Sequence, residues 1–157
     1  MKWFLKCIRN YVNFSGRARR REYWFFELYS FLLMILAIVL DLLCFGNPYR
    51  IFYALAGLFL FLPNLAVMAR RLHDTGRSAG ILIWYYVLAF VWMIALVISG
   101  LATVTGGAAA STGFLVLLIA GSLVFLVWSI IFLVWFCTEG TPGENPYGPD
   151  PKQIEEI

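Results

Sequence analysis

The sequence ILIWYYVLAFVWMIALVISGL, residues 81–101, is followed after a short connector by FLVLLIAGSLVFLVWSIIFLVWFC, residues 114–137. From Ser78 to Thr138, a run of 61 residues, there is no Asp, Glu, Lys, Arg or His. A soluble domain of 157 residues cannot cover so long an apolar stretch, because the covering polar surface would have to come from the remaining chain. The composition agrees, since only 13% of the residues are charged, against about 25% in an ordinary soluble domain. A soluble globular enzyme and a disordered regulator are therefore excluded, and an integral membrane protein is indicated.

Four segments are long and apolar enough to cross a bilayer as helices, which requires about 20 residues each. They are residues 23–45, 51–69, 81–101 and 114–137. A transmembrane barrel would alternate apolar and polar residues, whereas Phe31 to Leu36 is continuously apolar. We therefore predict an all-α fold, a four-helix transmembrane bundle that forms a single integral membrane domain over residues 1–157.

The connectors between these spans differ in character. Residues 46–49 (Gly-Asn-Pro-Tyr) have turn chemistry and join the first two spans. Residues 102–113 contain only small residues and Val104, so we expect either a loop or frayed helix ends between the third and fourth spans.

The basic residues indicate the orientation of the spans. Eleven of the twelve Lys and Arg residues precede the first span, lie between the second and third, or follow the fourth, and only Arg50 lies on the other side. Basic residues concentrate in the cytoplasmic segments of membrane proteins. The charge bias and the even number of spans both predict a multi-pass protein with its two termini in the cytoplasm.

Two terminal segments flank the spans. Residues 2–14 place Lys2, Lys6 and Arg9 opposite an apolar helical face, which predicts an amphipathic helix lying in the membrane interface. Residues 138–157 are rich in Gly and Pro and predict an irregular cytoplasmic tail. Because the first 22 residues carry +6 and the last twenty carry −4, we expect the tail to fold back over the arginines.

Two polar residues lie inside the predicted spans. Asn64 follows Pro63, which should kink the second span because proline removes a backbone hydrogen bond, and Asn64 is expected to face the bundle. Glu27 lies about one turn inside the first span, where an ionised carboxylate is costly unless it is paired. We predict that Glu27 meets an arginine of residues 70–71 or 19–21.

His73 beside Asp74 suggests catalysis on a phosphate, but phosphohydrolases of the His–Asp type need several further metal ligands, and His73 is the only histidine. Pairing of His73 or Asp74 with nearby arginines is the preferred interpretation. The three cysteines form no C-x-x-C pair. We therefore predict no catalytic residues, no metal site and no cofactor.

Three segments carry recognisable motifs: FSGRARRREYW at residues 14–24, PNLAVMARRLHDTGRS at 63–78 and GTPGENPYGPDP at 140–151. In this order, over nearly the whole chain, they resemble the signatures of the domain-of-unknown-function 805 family of small bacterial inner-membrane proteins. Pro146 stands where the family is expected to carry an arginine or a similar residue. The resemblance implies a location in the bacterial inner membrane and the topology described above, and it implies no established activity.

All three motifs are predicted to lie at the cytoplasmic boundary of the membrane, which suggests one composite surface. Its basic part consists of Arg17, Arg19, Arg20, Arg21, Arg70, Arg71 and Arg77. Charge-network support is expected from Glu22, Glu27, His73, Asp74 and Glu139, with Tyr147 and the Gly/Pro turns as a cover. In the simpler interpretation these arginines set topology and attract anionic lipid at about 1 kcal/mol each. The bidentate geometry of arginine also suits recognition of one particular phosphate or carboxylate.

Three functions compete. The preferred one is a non-enzymatic scaffold or binding module that engages anionic membrane lipid or a partner membrane protein; a homo-oligomer is a further option, and no nucleic-acid partner is expected. The second is a small transporter or channel with Glu27 and Asn64 in its path, although spans two to four are nearly devoid of ionisable groups. The third is an interfacial enzyme acting on lipid phosphates, which lacks a nucleophile–base pair or a metal set.

Overall fold

The computed structural model describes residues 1–46 and 50–154, apart from the side chains of residues 105 and 154. Five helices account for most of this part of the chain: α1 (Lys2–Arg9), α2 (Arg20–Phe45), α3 (Ile51–Asp74), α4 (Gly80–Cys137) and α5 (Pro151–Ile154). No β-strand occurs in the described residues, where the only sheet-like feature is an isolated bridge between Asn145 and Gly148. The predicted all-α fold class is confirmed.

Helix α4 consists of two arms. Its backbone is non-helical at Gly107, where φ is +64° and ψ is −153°, a conformation that glycine adopts without a Cβ penalty. The arms, Gly80–Val104 and Gly106–Cys137, together with α2 and α3, are the four helices long and apolar enough to cross a membrane. The connector at residues 102–113 is thus helical on both sides of one break. We expected either a loop or helix ends, and the structure is closer to helix ends.

The helices extend beyond the predicted spans towards the charged residues. Helix α2 begins at Arg20, three residues before the predicted start at residue 23, and α3 continues to Asp74 instead of ending at residue 69. A hydropathy pattern ends where charge begins, but arginine is a good helix former. Arg20, Arg70 and Arg71 are also paired with carboxylates of the fold, as described below. The predicted turn at residues 46–49 lies outside the described residues except for Gly46.

The described residues form two compact units, one comprising Met1–Ala79 with the segment that begins at Phe136, and the other Gly80–Trp135. In the second unit the two arms of α4 pack through aromatic rings, with ring centroids 4.9 Å apart for Trp92 and Phe125 and 5.2 Å apart for Tyr85 and Phe132. Gly121 permits this contact, because a Cβ there would fall on the Trp92 ring.

In the first unit α2 and α3 are antiparallel neighbours joined by polar contacts at three levels. Glu22 meets Arg70 at the level where α2 begins, Glu27 accepts a hydrogen bond from Asn64 further along, and Asp41 lies against the start of α3. Residue numbers that rise along α2 fall along α3 by similar steps, as an antiparallel register requires. We refer to the end that holds Arg20 and Asp74 as the basic end.

Helix α1 packs against α2 in the first unit. The Phe4 and Phe26 rings stack with centroids 5.5 Å apart, and Cys7 is fully buried. The helix is shorter than the predicted residues 2–14, because the Asn10 side-chain amide donates to the Lys6 carbonyl at 2.9 Å and ends it. That α1 lies in a membrane interface stays a prediction.

Pro63 leaves one backbone carbonyl of α3 without its helical hydrogen bond, and the N-terminal segment donates to that carbonyl. Proline has no N–H, so the Phe59 carbonyl four residues earlier lacks its helical donor. The Tyr11 hydroxyl donates to that carbonyl at 2.6 Å. The chain that follows α1 is thereby joined to the middle of α3 at the point where the proline interrupts its hydrogen bonding.

Tyr11→Phe is expected to lower the free energy of unfolding by about 1–2 kcal/mol, since it leaves the Phe59 carbonyl without a partner. In a Pro63→Ala background the alanine N–H can serve that carbonyl, so the same tyrosine substitution should cost less. Unfolding in mixed detergent micelles of the parent, both single variants and the double variant measures this coupling. An equal cost in both backgrounds would contradict the explanation.

Candidate functional site

The basic end of the first unit holds most of the charged side chains that the sequence singled out. They fall into two groups: a buried network that fastens the tail to α3, and an exposed cleft beside it. The groups differ in what surrounds each guanidinium, and this difference decides which arginines are accessible to a ligand.

Arg17 is the centre of the buried network and is only 9% exposed. Its Nε donates to Asp74 Oδ1 at 3.0 Å. Its terminal nitrogens donate to tail carbonyls, to Gly143 at 2.6 Å, Gly148 at 3.3 Å and Thr141 at 2.5 Å. The carboxylate balances its charge and the carbonyls fill the remaining donor positions, so Arg17 holds the tail in a fixed turn.

Arg71 occupies the other side of the same carboxylate and is fully buried. It forms an ion pair with Asp74 one turn later in α3 and donates to the carbonyls of Phe136, Ala18 and Thr138. Asp74 therefore serves two buried guanidinium groups that come from different segments of the chain.

The tail is also attached by its backbone. The Thr141 N–H donates to the Asp74 carbonyl at 2.9 Å, and the Asn145 side-chain amide donates to the His73 carbonyl at 3.0 Å. Gly140 allows this approach, since a Cβ at that position would fall on the Asp74 carboxylate. The predicted return of the tail to the arginines is thus present in the described residues, which end at residue 154.

A second buried group lies where α1 meets α2 and α3. Glu22, with no side-chain exposure, pairs with Arg70 at 2.5 Å and with Lys6 at 3.0 Å. The Cys7 thiol lies 3.7 Å from the same carboxylate. Burial, and secondly the Glu22 charge, raises the pKa of Cys7 to about 12, so this thiol is neutral and unreactive at physiological pH.

His73 has a packing role. Its ring stacks on Tyr147 with the centroids 4.0 Å apart and the planes at 4°, and its Nδ1 lies 3.1 Å from the Gly16 carbonyl. Of the two residues expected to pair with arginine, Asp74 does so and His73 packs against the tail instead. Arg77 lies in the loop after α3 and donates to the Thr75 carbonyl at 3.2 Å.

The exposed group of charges lines an open cleft of about 240 Å³, which we call the arginine cleft. Its lining residues are Arg19, Arg20, Arg21, Glu139 and Lys152. Arg20 is 3.4 Å from Glu139 and Lys152 is 2.6 Å from it. The hydrogen bond and charge of Lys152, with a smaller contribution from Arg20, lower the pKa of Glu139, so this carboxylate remains ionised. In the part of the chain that the structure describes, four basic side chains therefore line the cleft with one carboxylate.

The short helix α5 brings Lys152 to the cleft. Asp150 caps α5 by accepting from the Lys152 N–H at 2.9 Å, and this hydrogen bond lowers the pKa of Asp150. Pro151 occupies the first helical position, where a missing N–H costs nothing. The tail is therefore not irregular throughout, and Lys152 is a cleft residue that the sequence did not single out.

Glu27 has a different partner from the predicted arginine. Its carboxylate accepts from the Asn64 side-chain amide at 3.0 Å. The antiparallel register explains the difference, because Arg70 lies about one and a half helical turns further along α3 and meets Glu22 instead. Asn64 faces α2, as expected, and the contact is a hydrogen bond between helices.

Asp41 is a structural residue that the sequence reasoning missed. It is 4% exposed and accepts from the backbone N–H groups of Phe52 and Tyr53 at 2.8 and 2.9 Å. A carboxylate from the end of α2 thus caps the start of α3. The available signal was an acidic residue in an apolar run, shortly before a helix that has no capping residue of its own.

The chain is similar to a known protein family over most of its length. The family model described as "Protein of unknown function (DUF805)" matches residues 11–149. The chain is 38% identical over 156 residues to the inner membrane protein YhaH of Escherichia coli K12, covering 97% of this chain and 98% of YhaH. It is 36% identical over 154 residues to the inner membrane protein YhaI of the same organism, covering 97% of both chains. No solved structure matches.

Proposed function

Because the chain belongs to the DUF805 family of inner-membrane proteins, we propose that it is a membrane-embedded binding module whose arginine cleft holds the phosphate of an anionic lipid headgroup. The basic end faces the cytoplasm in this proposal, with both termini on that side, in agreement with the distribution of Lys and Arg. The proposed module is not an enzyme and requires no cofactor.

The observation that carries the proposal is the division of the arginines. Carboxylates or backbone carbonyls of the protein itself engage Arg17, Arg70 and Arg71, which are at most 9% exposed. In the cleft, Arg20 meets Glu139 and donates to the Cys137 carbonyl at 3.2 Å, but its side chain is 46% exposed. Arg21 is exposed and forms no ion pair or hydrogen bond with the described residues. The buried set stabilises the fold and leaves the arginine cleft to bind an anion.

The position of the cleft favours a lipid over a soluble anion. Arg19, Arg20 and Arg21 stand at the first turn of α2, and the same helix continues directly into its apolar, membrane-spanning length. The positive end of a helix adds to the attraction of basic side chains for phosphate. A headgroup in the cleft would have its acyl chains beside exposed residues such as Trp24, Phe25 and Leu28.

Helix α1 supports the same placement. Lys2 and Lys6 lie over the Trp3 ring, with each ammonium 5.3–5.5 Å from its centroid. A helix with ammonium groups above aromatic and apolar side chains suits the headgroup region. We propose that α1 lies in the cytoplasmic interface beside the start of α2.

Arg21→Ala is expected to reduce retention of phosphatidic acid by roughly five-fold, since one basic residue near the membrane contributes about 1 kcal/mol. Arg20→Ala combined with Arg21→Ala should reduce it further. The measurement is native mass spectrometry of the full chain in mild detergent, with phosphatidic acid titrated and phosphatidylcholine as the neutral reference.

Arg50→Ala is the matched control, because Arg50 is exposed and stands at the opposite end of α3, over the Tyr53 ring. It should leave lipid retention unchanged. Arg71→Ala is not informative about binding, since Arg71 is buried and holds four backbone or carboxylate acceptors. Unchanged phosphatidic acid retention in both cleft variants would refute the lipid assignment, and loss of a co-purifying protein instead would indicate an acidic partner.

A further inference from the structure

Glu139 is the carboxylate that lines the arginine cleft among the described residues. Its side chain is 61% exposed, yet it lies 2.6 Å from the Lys152 ammonium and 3.4 Å from the Arg20 guanidinium. It follows directly after the last turn of α4, so it is tethered close to both partners. Among the described residues, the protein thus supplies one carboxylate to a cleft whose other lining side chains are basic.

The other acidic residues near the cleft have separate partners. Asp74 is held by Arg17 and Arg71. Asp150 accepts from the backbone N–H groups of Gly143 and Lys152 at 3.3 and 2.9 Å. Both carboxylates line a smaller adjoining pocket with Arg19, Arg20 and Lys152, but each is already engaged by the partners named here, whereas Glu139 pairs only with cleft residues among those described.

We propose that the arginine cleft is selective for phosphomonoester headgroups and that Glu139 is a resident competitor, which sets the affinity that any anion must exceed to be retained. The proposal rests on the lipid-binding function proposed above. An incoming phosphate takes Arg20 from Glu139, so binding is an exchange of one anion for another.

The charges of the two anions decide the result of that exchange. A phosphodiester such as phosphatidylglycerol carries one negative charge, the same as the carboxylate that it replaces, and gains little. A phosphomonoester such as phosphatidic acid carries about −1.5 to −2 charges near pH 7 and has three terminal oxygens for guanidinium donors. Three arginines and a lysine supply more positive charge than one phosphodiester neutralises. The tethered carboxylate therefore excludes weak anions and admits a dianion.

The test is a competition titration of the full chain in mild detergent, followed by native mass spectrometry, with equimolar phosphatidic acid and phosphatidylglycerol. The parent protein should retain phosphatidic acid preferentially. Glu139→Gln should raise the apparent affinity for both lipids by roughly two- to five-fold, as expected for removal of an exposed ionic competitor, and should make phosphatidylglycerol binding detectable.

Glu144→Gln is the matched control, since Glu144 is an exposed tail residue outside the cleft lining. This variant changes the net charge equally and should bind as the parent does. Glycerol 3-phosphate, which presents the same phosphate without acyl chains, should compete poorly. Equal competition by glycerol 3-phosphate would overturn the assignment to a lipid in favour of a soluble phosphomonoester.

The two proposals fail in different ways. If parent binding of the two lipids is equal, or if Glu139→Gln has no effect, while Arg21→Ala still weakens binding, the selectivity proposal is wrong and the binding function stands. If Arg21→Ala leaves retention of both lipids unchanged, the binding function itself is wrong.

Discussion

Asp74→Asn is expected to lower the free energy of unfolding by about 3–5 kcal/mol, the cost of leaving buried charge without its counter-ion. The residue is 4% exposed and is the carboxylate partner of both Arg17 and Arg71. Asparagine keeps the shape and the carbonyl oxygen but leaves two buried positive charges close together. Unfolding in mixed detergent micelles measures the loss.

The tail provides a second readout of the same substitution. Because Arg17 holds the carbonyls of Thr141 and Gly143, loss of its carboxylate partner should make the segment after residue 138 more sensitive to limited proteolysis. Glu144→Gln, an equal charge change on the exposed tail, should alter neither readout. The double variant Asp74→Asn, Arg17→Gln should lose less free energy of unfolding than the sum of the two single variants, since both substitutions remove the same ion pair. Fully additive costs would show that the pair is not coupled.

The class of fold and the grouping of segments could be predicted from the sequence. The charge-free run from Ser78 to Thr138 leaves few alternatives to apolar spanning helices. The excess of acid in the tail and of base before α2 predicted their association, because opposite charges on one side of the chain's spans attract. Arg17 with its tail contacts agrees with that expectation.

The division of the arginines between structure and surface could not be predicted. Arg17 and Arg19 lie two residues apart in one basic motif, yet Arg17 is buried among carbonyls of the returning tail, whereas Arg19 is half-buried and lines the arginine cleft. Those acceptors are backbone carbonyls of Thr141, Gly143 and Gly148. Every residue has a backbone carbonyl, so the sequence does not indicate which of them will accept from Arg17. Charge patterns indicated that the segments meet, whereas the folded turn decided which side chain became buried.

The partner of Glu27 could not be predicted from the sequence either. Charge alone favoured an arginine, while the register of α2 against α3 placed Asn64 opposite it at 3.0 Å. A hydrogen bond between these helices accounts for both polar residues without a transport path, and such bonds commonly contribute about 0.6 kcal/mol in membranes. Register depends on packing along the whole helix pair, which a local pattern of polar residues does not specify.

Glu22→Gln is expected to destabilise the first unit by about 3–5 kcal/mol through Arg70. The Glu22 side chain is fully buried and is the carboxylate that balances Arg70, which is 3% exposed. Two nitrogens of Arg70, Nε and Nη2, have no hydrogen-bond partner among the described residues. A neutral glutamine would therefore leave this guanidinium with neither a counter-ion nor a full set of acceptors.

Cys7 reports the opening of this region directly. With its pKa raised to about 12 by burial and by Glu22, the folded protein should hold about a thousand-fold less Cys7 thiolate than a thiol of ordinary pKa 9.0 at neutral pH. In a Cys44→Ser, Cys137→Ser background, maleimide labelling of Cys7 should be slow in the parent and faster in Glu22→Gln. The thiol would react in the opened state, where it regains water and an ordinary pKa.

Glu144→Gln in the same background should label as slowly as the parent. Rapid labelling of the parent would show that α1 is not held against Glu22, and unchanged labelling with unchanged stability in Glu22→Gln would show that Arg70 does not depend on this carboxylate.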